Sequence, residues 1–424
     1  MQCVIKPGKI AGEVFISPSK SETMRAIIFA AMANGVSTIN NILLSPDTFA
    51  MIEGVRAFGV KVAQEGTSLQ IHGVGGKLLL PDKVIDVGNS GLALRFMMAL
   101  SALVEGEVKI TGDESIRTRR PVKPLLDVYS QNGMSVSTFD ESGIMSIKGG
   151  LKPGSMVIEG EDSQPVSSLL FSTAFLKEPS QIFVLRPGEK PWVDLTLHWL
   201  QFVGCLVDRE GYKIFNVEGN LSYNGFKVTV GGDYSTALFP IAAALVTGGS
   251  MKIHGLDKNS AQGDKKALDI FRQMGATIEF DQNNILVAKL RSKLQGVDVD
   301  INHCIDVLPI LAVVAAFANS KTVIRGAEIA RYKESNRIKV MVQQLSKMGV
   351  NIEEQSDGLI ILPSKLTGAN LSGEKDHRVV LALMVAAAGA SGITELDGSE
   401  VVIKSYPTAI YDFINCGMKL TLAV

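Results

Sequence analysis

Residues 17–33 read SPSKSETMRAIIFAAMA, and the second half of that stretch has no polar face. Ser17 or Ser19 is placed to cap a helix, since a serine ahead of an apolar run accepts from the first free N–H groups. A helix that is apolar all round has to be buried on every side. Its start is odd, however. Lys20 stands in the first turn and Arg25 one turn further in, where the positive end of the helix dipole and burial both disfavour a cation.

The same kind of helix recurs five times: LALRFMMALSALV from 92, VSSLLFSTAFL from 166, TALFPIAAALV from 236, VLPILAVVAAFA from 307 and VVLALMVAAAG from 379. After each comes a strand, then an amphipathic helix that ends in glycine ahead of another strand. The closing glycines are Gly59, Gly133, Gly204, Gly275, Gly349 and Gly417, separated by 74, 71, 71, 74 and 68 residues. Each is placed to end its helix in the left-handed conformation. A unit near seventy residues is longer than an ordinary solenoid repeat. It suits a small α/β subdomain, and six such units divide into two domains of three. Alternation in KVTVGG and TVIRG marks half-buried strands.

Bulk properties narrow the function. With 46% hydrophobic and 20% charged residues over 424 positions, the chain can bury full cores and is not a disordered type. A formal net charge of −1 supplies no general field for nucleic acid or a membrane surface, so any cationic site is local. Cys3, Cys205, Cys304 and Cys416 lie far apart without metal-ligand spacing, and the histidines form no HExxH pair. The first residues carry no targeting pattern, and the run VLPILAVVAAFA is too short to span a bilayer. A soluble cytoplasmic protein is expected, with neither nucleic-acid nor membrane partners.

Polar residues gather just ahead of the apolar helices: SPSKSETMR, DVGNSGLALR, DSQPVSS, GGDYSTA, CIDVLP and KDHRVV. Capping accounts for Asp233 and Ser235. It does not account for Lys20, Arg25, Arg95 and Arg378, four cations in the early turns of apolar helices. An anion in front of the helices resolves this, because N–H groups, dipoles and cationic side chains then converge on it. Two further stretches add charge: GDESIRTRRP with Arg117, Arg119 and Arg120, and EIARYKESNRIK with Arg331, Lys333, Glu334 and Arg337. On one helix, Lys333 and Arg337 would share a face.

Taken together, SPSKSETMRA, VGNSGLALRF, TGDESIRTRRP, SQPVSSLL, GGDYSTALFPIAAALVTGG, KNSAQGD, IDVLPILAV, RYKESNRI, EKDHRVVLAL and IKSYP resemble the 5-enolpyruvylshikimate-3-phosphate synthase family over essentially the whole chain. The resemblance implies an inside-out α/β fold, with six βαβαββ-type repeats around buried helices in two domains. Residues 1–17 with 229–424 would form one domain and 18–228 the other, with the active site in the interdomain cleft. It implies transfer of the enolpyruvyl group of phosphoenolpyruvate to the 5-hydroxyl of shikimate 3-phosphate, with release of phosphate, in the shikimate pathway to chorismate and aromatic amino acids. It implies no metal or organic cofactor, and a monomer is expected.

Carried over by position, Lys20, Ser21, Arg25, Ser163, Gln164, Asp306 and Lys333 would contact shikimate 3-phosphate. Lys20, Asn89, Gly91, Arg120, Gln164, Arg337, Arg378 and Lys404 would contact phosphoenolpyruvate. Glu334 and Asp306 would be the catalytic carboxylates, with Lys20 and His377 as proton or charge partners.

The chain departs from the family pattern in places. Asp162 and Glu189 stand where serines near the shikimate 3-phosphate phosphate are usual. Leu92 and Phe96 replace a small polar residue and a proline, and Asn336 replaces an aspartate. The loop from Gly112 to Pro121 is one residue longer than usual, so Arg119 and Arg120 compete for one role. A related transferase acting on UDP-N-acetylglucosamine is disfavoured, because Ser21 follows Lys20 and the loop Thr111–Pro121 has no cysteine. Two alternatives stay open: a non-catalytic relative binding a phosphorylated metabolite, and transfer to another acceptor alcohol.

Overall fold

The computed structural model describes residues 1–423. All six closing glycines adopt positive φ, from 83° at Gly349 to 102° at Gly275. A side chain there would be strained, so glycine is what allows the chain to leave each helix and turn directly into a strand.

Among the described residues, six four-stranded sheets share one pattern: a parallel pair of strands at one side, then two strands added antiparallel. In the repeat from residue 155, Ser155–Glu159 runs parallel to Ser180–Leu185, Ile214–Val217 joins antiparallel, and Val207–Glu210 lies at the edge. The parallel pair requires a crossover, and the apolar helix supplies it: Ser163–Ala174 here.

The chain divides into two compact units: Ser19–Val230, and Met1–Pro18 together with the chain from Gly231 onward. In the first, Lys20–Met32, Gly91–Ser101 and Ser163–Ala174 lie in a common core under three sheets. In the second, Tyr234–Thr247, Leu308–Ala316 and His377–Gly389 pack against one another in the same way. Every residue of Gly91–Ser101 and of Leu308–Ala316 is buried, as a helix without a polar face requires.

Three sheets are completed by strands from distant parts of the chain. Lys227–Thr229 pairs parallel with Thr38–Asn40, and Gly12–Glu13–Val14–Phe15 pairs parallel with Met251–His254. Strand Gln2–Lys6 lies between Thr394–Asp397 and Lys419–Ala423, antiparallel to both. Among the described residues, no helix is long and apolar enough to cross a membrane.

Candidate active site

Both units place charged clusters at helix starts, and each cluster is described within its own unit. In the unit that carries the chain end, Arg337 is the first residue of helix Arg337–Lys347 and only 1% exposed. Lys333 lies outside that helix, in extended backbone after the short turn Glu328–Tyr332, so the two do not share a helix face. The break arises because Asn336 caps the helix by accepting from Lys339 N at 3.1 Å. That capping is what an aspartate would offer at the position, and it accounts for the tolerance of asparagine there.

The Arg337 guanidinium holds three carboxylates. It donates to Asp306 Oδ1 at 2.6 Å, Glu334 Oε2 at 2.8 Å and Asp376 Oδ2 at 2.8 Å. Arg378 Nη2 lies 3.0 Å from Asp306 Oδ2, and Lys404 Nζ lies 2.9 Å from Glu334 Oε1. Asp376 is wholly buried; it also accepts from Ser335 Oγ at 3.1 Å and caps helix His377–Gly389 through Arg378 N at 3.0 Å. His377 is buried, with Nδ1 3.8 Å from Asp376 Oδ1.

Charge sets the protonation of this cluster. Burial alone would raise the carboxyl pKa of Asp306, but Arg378, Arg337 and Lys333 together hold it well below the usual range. Burial disfavours the Arg337 cation, and Asp376, Glu334 and Asp306 outweigh it, so its pKa rises above the ordinary guanidinium value. Behind Asp306, Asp264 is fully buried and accepts from Ser235 Oγ. Burial and then the Asp306 charge push its pKa up to about 7, against the opposing pull of Arg378. Asp233 caps helix Tyr234–Thr247 through Thr236 N at 2.8 Å, as its sequence position implies.

In the unit Ser19–Val230, Ser19 caps helix Lys20–Met32, and Lys20 Nζ pairs with the buried carboxylate of Asp47 at 2.8 Å. Arg25 is 2% exposed, and its hydrogen bonds run to Thr196 Oγ1 at 2.9 Å, Ser21 O at 3.2 Å and Trp192 O at 3.2 Å, all neutral oxygens. Burial lowers its pKa to about 10. The Phe96 ring lies 5.9 Å from its guanidinium and meets Phe171 edge-on, so phenylalanine at that position is core packing.

Arg95, too, is held by groups of the protein itself. It is entirely buried and its Nη2 turns to Pro121 O at 2.8 Å and Asp162 Oδ2 at 3.4 Å. It therefore ties the arginine loop to the next helix start. Asp162 caps Ser163–Ala174 through Gln164 N at 3.0 Å while holding Arg95, which gives this carboxylate two partners in place of a repulsive exposure.

Gly91, Arg120 and Gln164 come together. A Cβ on Gly91 would lie 3.2 Å from Gln164 Oε1 and 3.3 Å from Arg120 Cζ, so glycine there admits both side chains. Arg120 is buried and Arg119 exposed, which separates the two arginines. Asn89 is half-buried beside the cap Ser90.

Sequence reading passed over Asp47, Asp264 and Asp376. Asp376 directly precedes His377–Arg378 at a helix start, a capping signal that pointed to it. Asp47 follows Pro46 at the start of helix Pro46–Ala57 and carries no comparable sign.

This arrangement of repeats, buried helices and paired cation–carboxylate clusters is that of an enolpyruvyl transferase fold, and a solved structure of EPSP synthase from Acinetobacter baumannii superposes on it with a TM-score of 0.82 at 27% identity, covering 99% of this chain and 100% of that one. The family model for EPSP synthase (3-phosphoshikimate 1-carboxyvinyltransferase) matches residues 4–412, and the chain belongs to that family. A 3-phosphoshikimate 1-carboxyvinyltransferase of Ruminiclostridium cellulolyticum is 37% identical, over 99% of each chain. One of Methanocella arvoryzae is 39% identical, over 98% of this chain and 99% of its own.

Proposed function

We propose that the chain transfers the enolpyruvyl group of phosphoenolpyruvate to the 5-hydroxyl of shikimate 3-phosphate, using Asp306 and Glu334 as its proton-carrying carboxylates. The observation that carries this is the Arg337 hub, which holds both carboxylates beside Arg378 and Lys404. Both substrates carry a phosphate and a carboxylate, and such a cluster offers cations to them and bases to their reacting atoms.

The chemistry has two halves. A base takes the 5-hydroxyl proton as that oxygen bonds to C2 of phosphoenolpyruvate, and an acid protonates the methylene carbon. The tetrahedral adduct then loses phosphate as a proton leaves the new methyl group. Asp306 suits the first base role because its neighbours keep it ionised. When anionic substrates draw Arg337 and Arg378 toward themselves, its basicity rises. Glu334, held by Lys404 and Arg337, serves the carbon end, with Lys20 and His377 balancing charge. Lys333 joins Lys20, Ser21, Arg25, Ser163 and Gln164 on the acceptor. Asn89, Gly91, Arg120 and Gln164 join Lys20, Arg337, Arg378 and Lys404 on phosphoenolpyruvate.

Mass spectrometry of shikimate 3-phosphate incubated with phosphoenolpyruvate and the protein tests the reaction. The acceptor should gain one enolpyruvyl group; an unchanged acceptor, with another alcohol modified instead, sinks the reading. The arginine assignment has its own test. Arg120→Ala should raise KM for phosphoenolpyruvate by about 10²-fold, the loss of a charge-assisted contact of roughly 3 kcal/mol. Arg119→Ala, on an exposed residue, should change it less than about threefold. Equal effects would show that the loop does not distinguish the two.

A further inference from the structure

Glu189 precedes helix Lys190–Phe202 but does not cap it. Its backbone is left-handed, at φ 41° and ψ 39°, a conformation that strains a residue other than glycine. Its side chain is buried, the residue being 2% exposed, and it turns to the neighbouring helix Ser163–Ala174. There Ser163 N donates to Glu189 Oε2 at 3.0 Å, and Ser163 Oγ donates to the same oxygen at 3.2 Å. The next N–H group, of Gln164, is taken by Asp162. The Glu189 carboxylate thus occupies a pair of donors at the positive end of a helix, the kind of place a phosphate oxygen would take. The strained backbone and the helix left uncapped are costs accepted for putting it there.

We propose that Glu189 is an internal plug at the position of the acceptor's phosphate, setting affinity for that substrate and keeping free inorganic phosphate out. The inference rests on the reading above that places Ser163 on shikimate 3-phosphate. A phosphate reaching Ser163 must displace the carboxylate, because two anions on one donor pair repel strongly. Inorganic phosphate, a product of the proposed reaction, has only the contacts of its own oxygens to gain. Shikimate 3-phosphate brings its ring hydroxyls and carboxylate as well, and their contacts offset the displacement. Discrimination comes from a built-in repulsive element as much as from attraction.

Two variants test this. Glu189→Gln removes the charge at constant size, and Glu189→Gly removes the side chain while relaxing the left-handed backbone. Calorimetric titration with inorganic phosphate should show about tenfold tighter binding to both variants than to the unaltered protein, or about 1.4 kcal/mol. KM for shikimate 3-phosphate should fall in parallel, while KM for phosphoenolpyruvate moves far less. Unchanged phosphate binding in both variants, or a raised KM for shikimate 3-phosphate, overturns the inference. The proposed reaction is judged separately by turnover of the unaltered protein. Turnover with unmoved phosphate affinity sinks the plug alone, and tighter phosphate binding without turnover sinks the reaction alone.

Discussion

Replacing Glu334 by glutamine should lower kcat by about 10²–10⁴-fold, the usual worth of a positioned proton carrier. Binding of shikimate 3-phosphate, followed by calorimetry, should shift far less. The carboxylate is fixed between Lys404 Nζ at 2.9 Å and Arg337 Nη2 at 2.8 Å, and its side chain is 9% exposed. Glutamine keeps the shape and one acceptor oxygen. Its amide nitrogen, however, must face one of the two cations, and it cannot take up or release a proton at neutral pH. A purely structural role predicts something else: a lower melting temperature with kcat within about threefold of the unaltered protein. Steady-state kinetics beside a thermal melt distinguishes the two.

The second large effect is on stability. Arg337→Met removes the cation that Asp306, Glu334 and Asp376 share, and Asp376 has no exposure with which to find water. Removing one partner of a buried ion pair typically costs about 3–5 kcal/mol. For a folding unit of this size that lowers the melting temperature by roughly 10 °C. The loss should depend on pH in a defined direction. The Asp306 carboxyl is held below its ordinary value, so its contribution to stability is complete above its unfolded pKa, about 3.9, and fades as the pH falls toward the folded one. The gap between Arg337→Met and the unaltered protein should therefore hold from pH 7 to about 4 and narrow as the pH falls further. A gap that stays constant below about pH 4 as well would mean that Arg337 acts through packing rather than charge.

Much of the fold is local, and local features can be read along a chain. The six left-handed glycines, the helices without a polar face and the capping roles of Ser19 and Asp233 follow from residue chemistry within a few positions. The pairing of Lys227–Thr229 with Thr38–Asn40 does not, since nothing in three residues specifies a partner so far back in the chain.

The site divides along the same line. Its cations stood out because burial and the helix dipole both oppose them, which made Lys20, Arg25 and Arg378 anomalous in sequence. Their counter-ions did not. Asp47 and Asp264 look like ordinary polar residues until tertiary structure buries them against Lys20 and Ser235. Arg95 shares the anomaly of the other cations, and a neighbouring carboxylate and a loop carbonyl occupy its guanidinium. Asp162, whose charge looked unfavourable in sequence, is that carboxylate.

Phosphate release by the purified protein, followed with phosphoenolpyruvate alone, with shikimate 3-phosphate alone and with both together, puts the proposed chemistry to the most direct test. Release should require both substrates and should collapse in Glu334→Gln, because phosphate leaves only from the adduct the two substrates form. Release from phosphoenolpyruvate alone, or none with both present while shikimate 3-phosphate still binds, would contradict it.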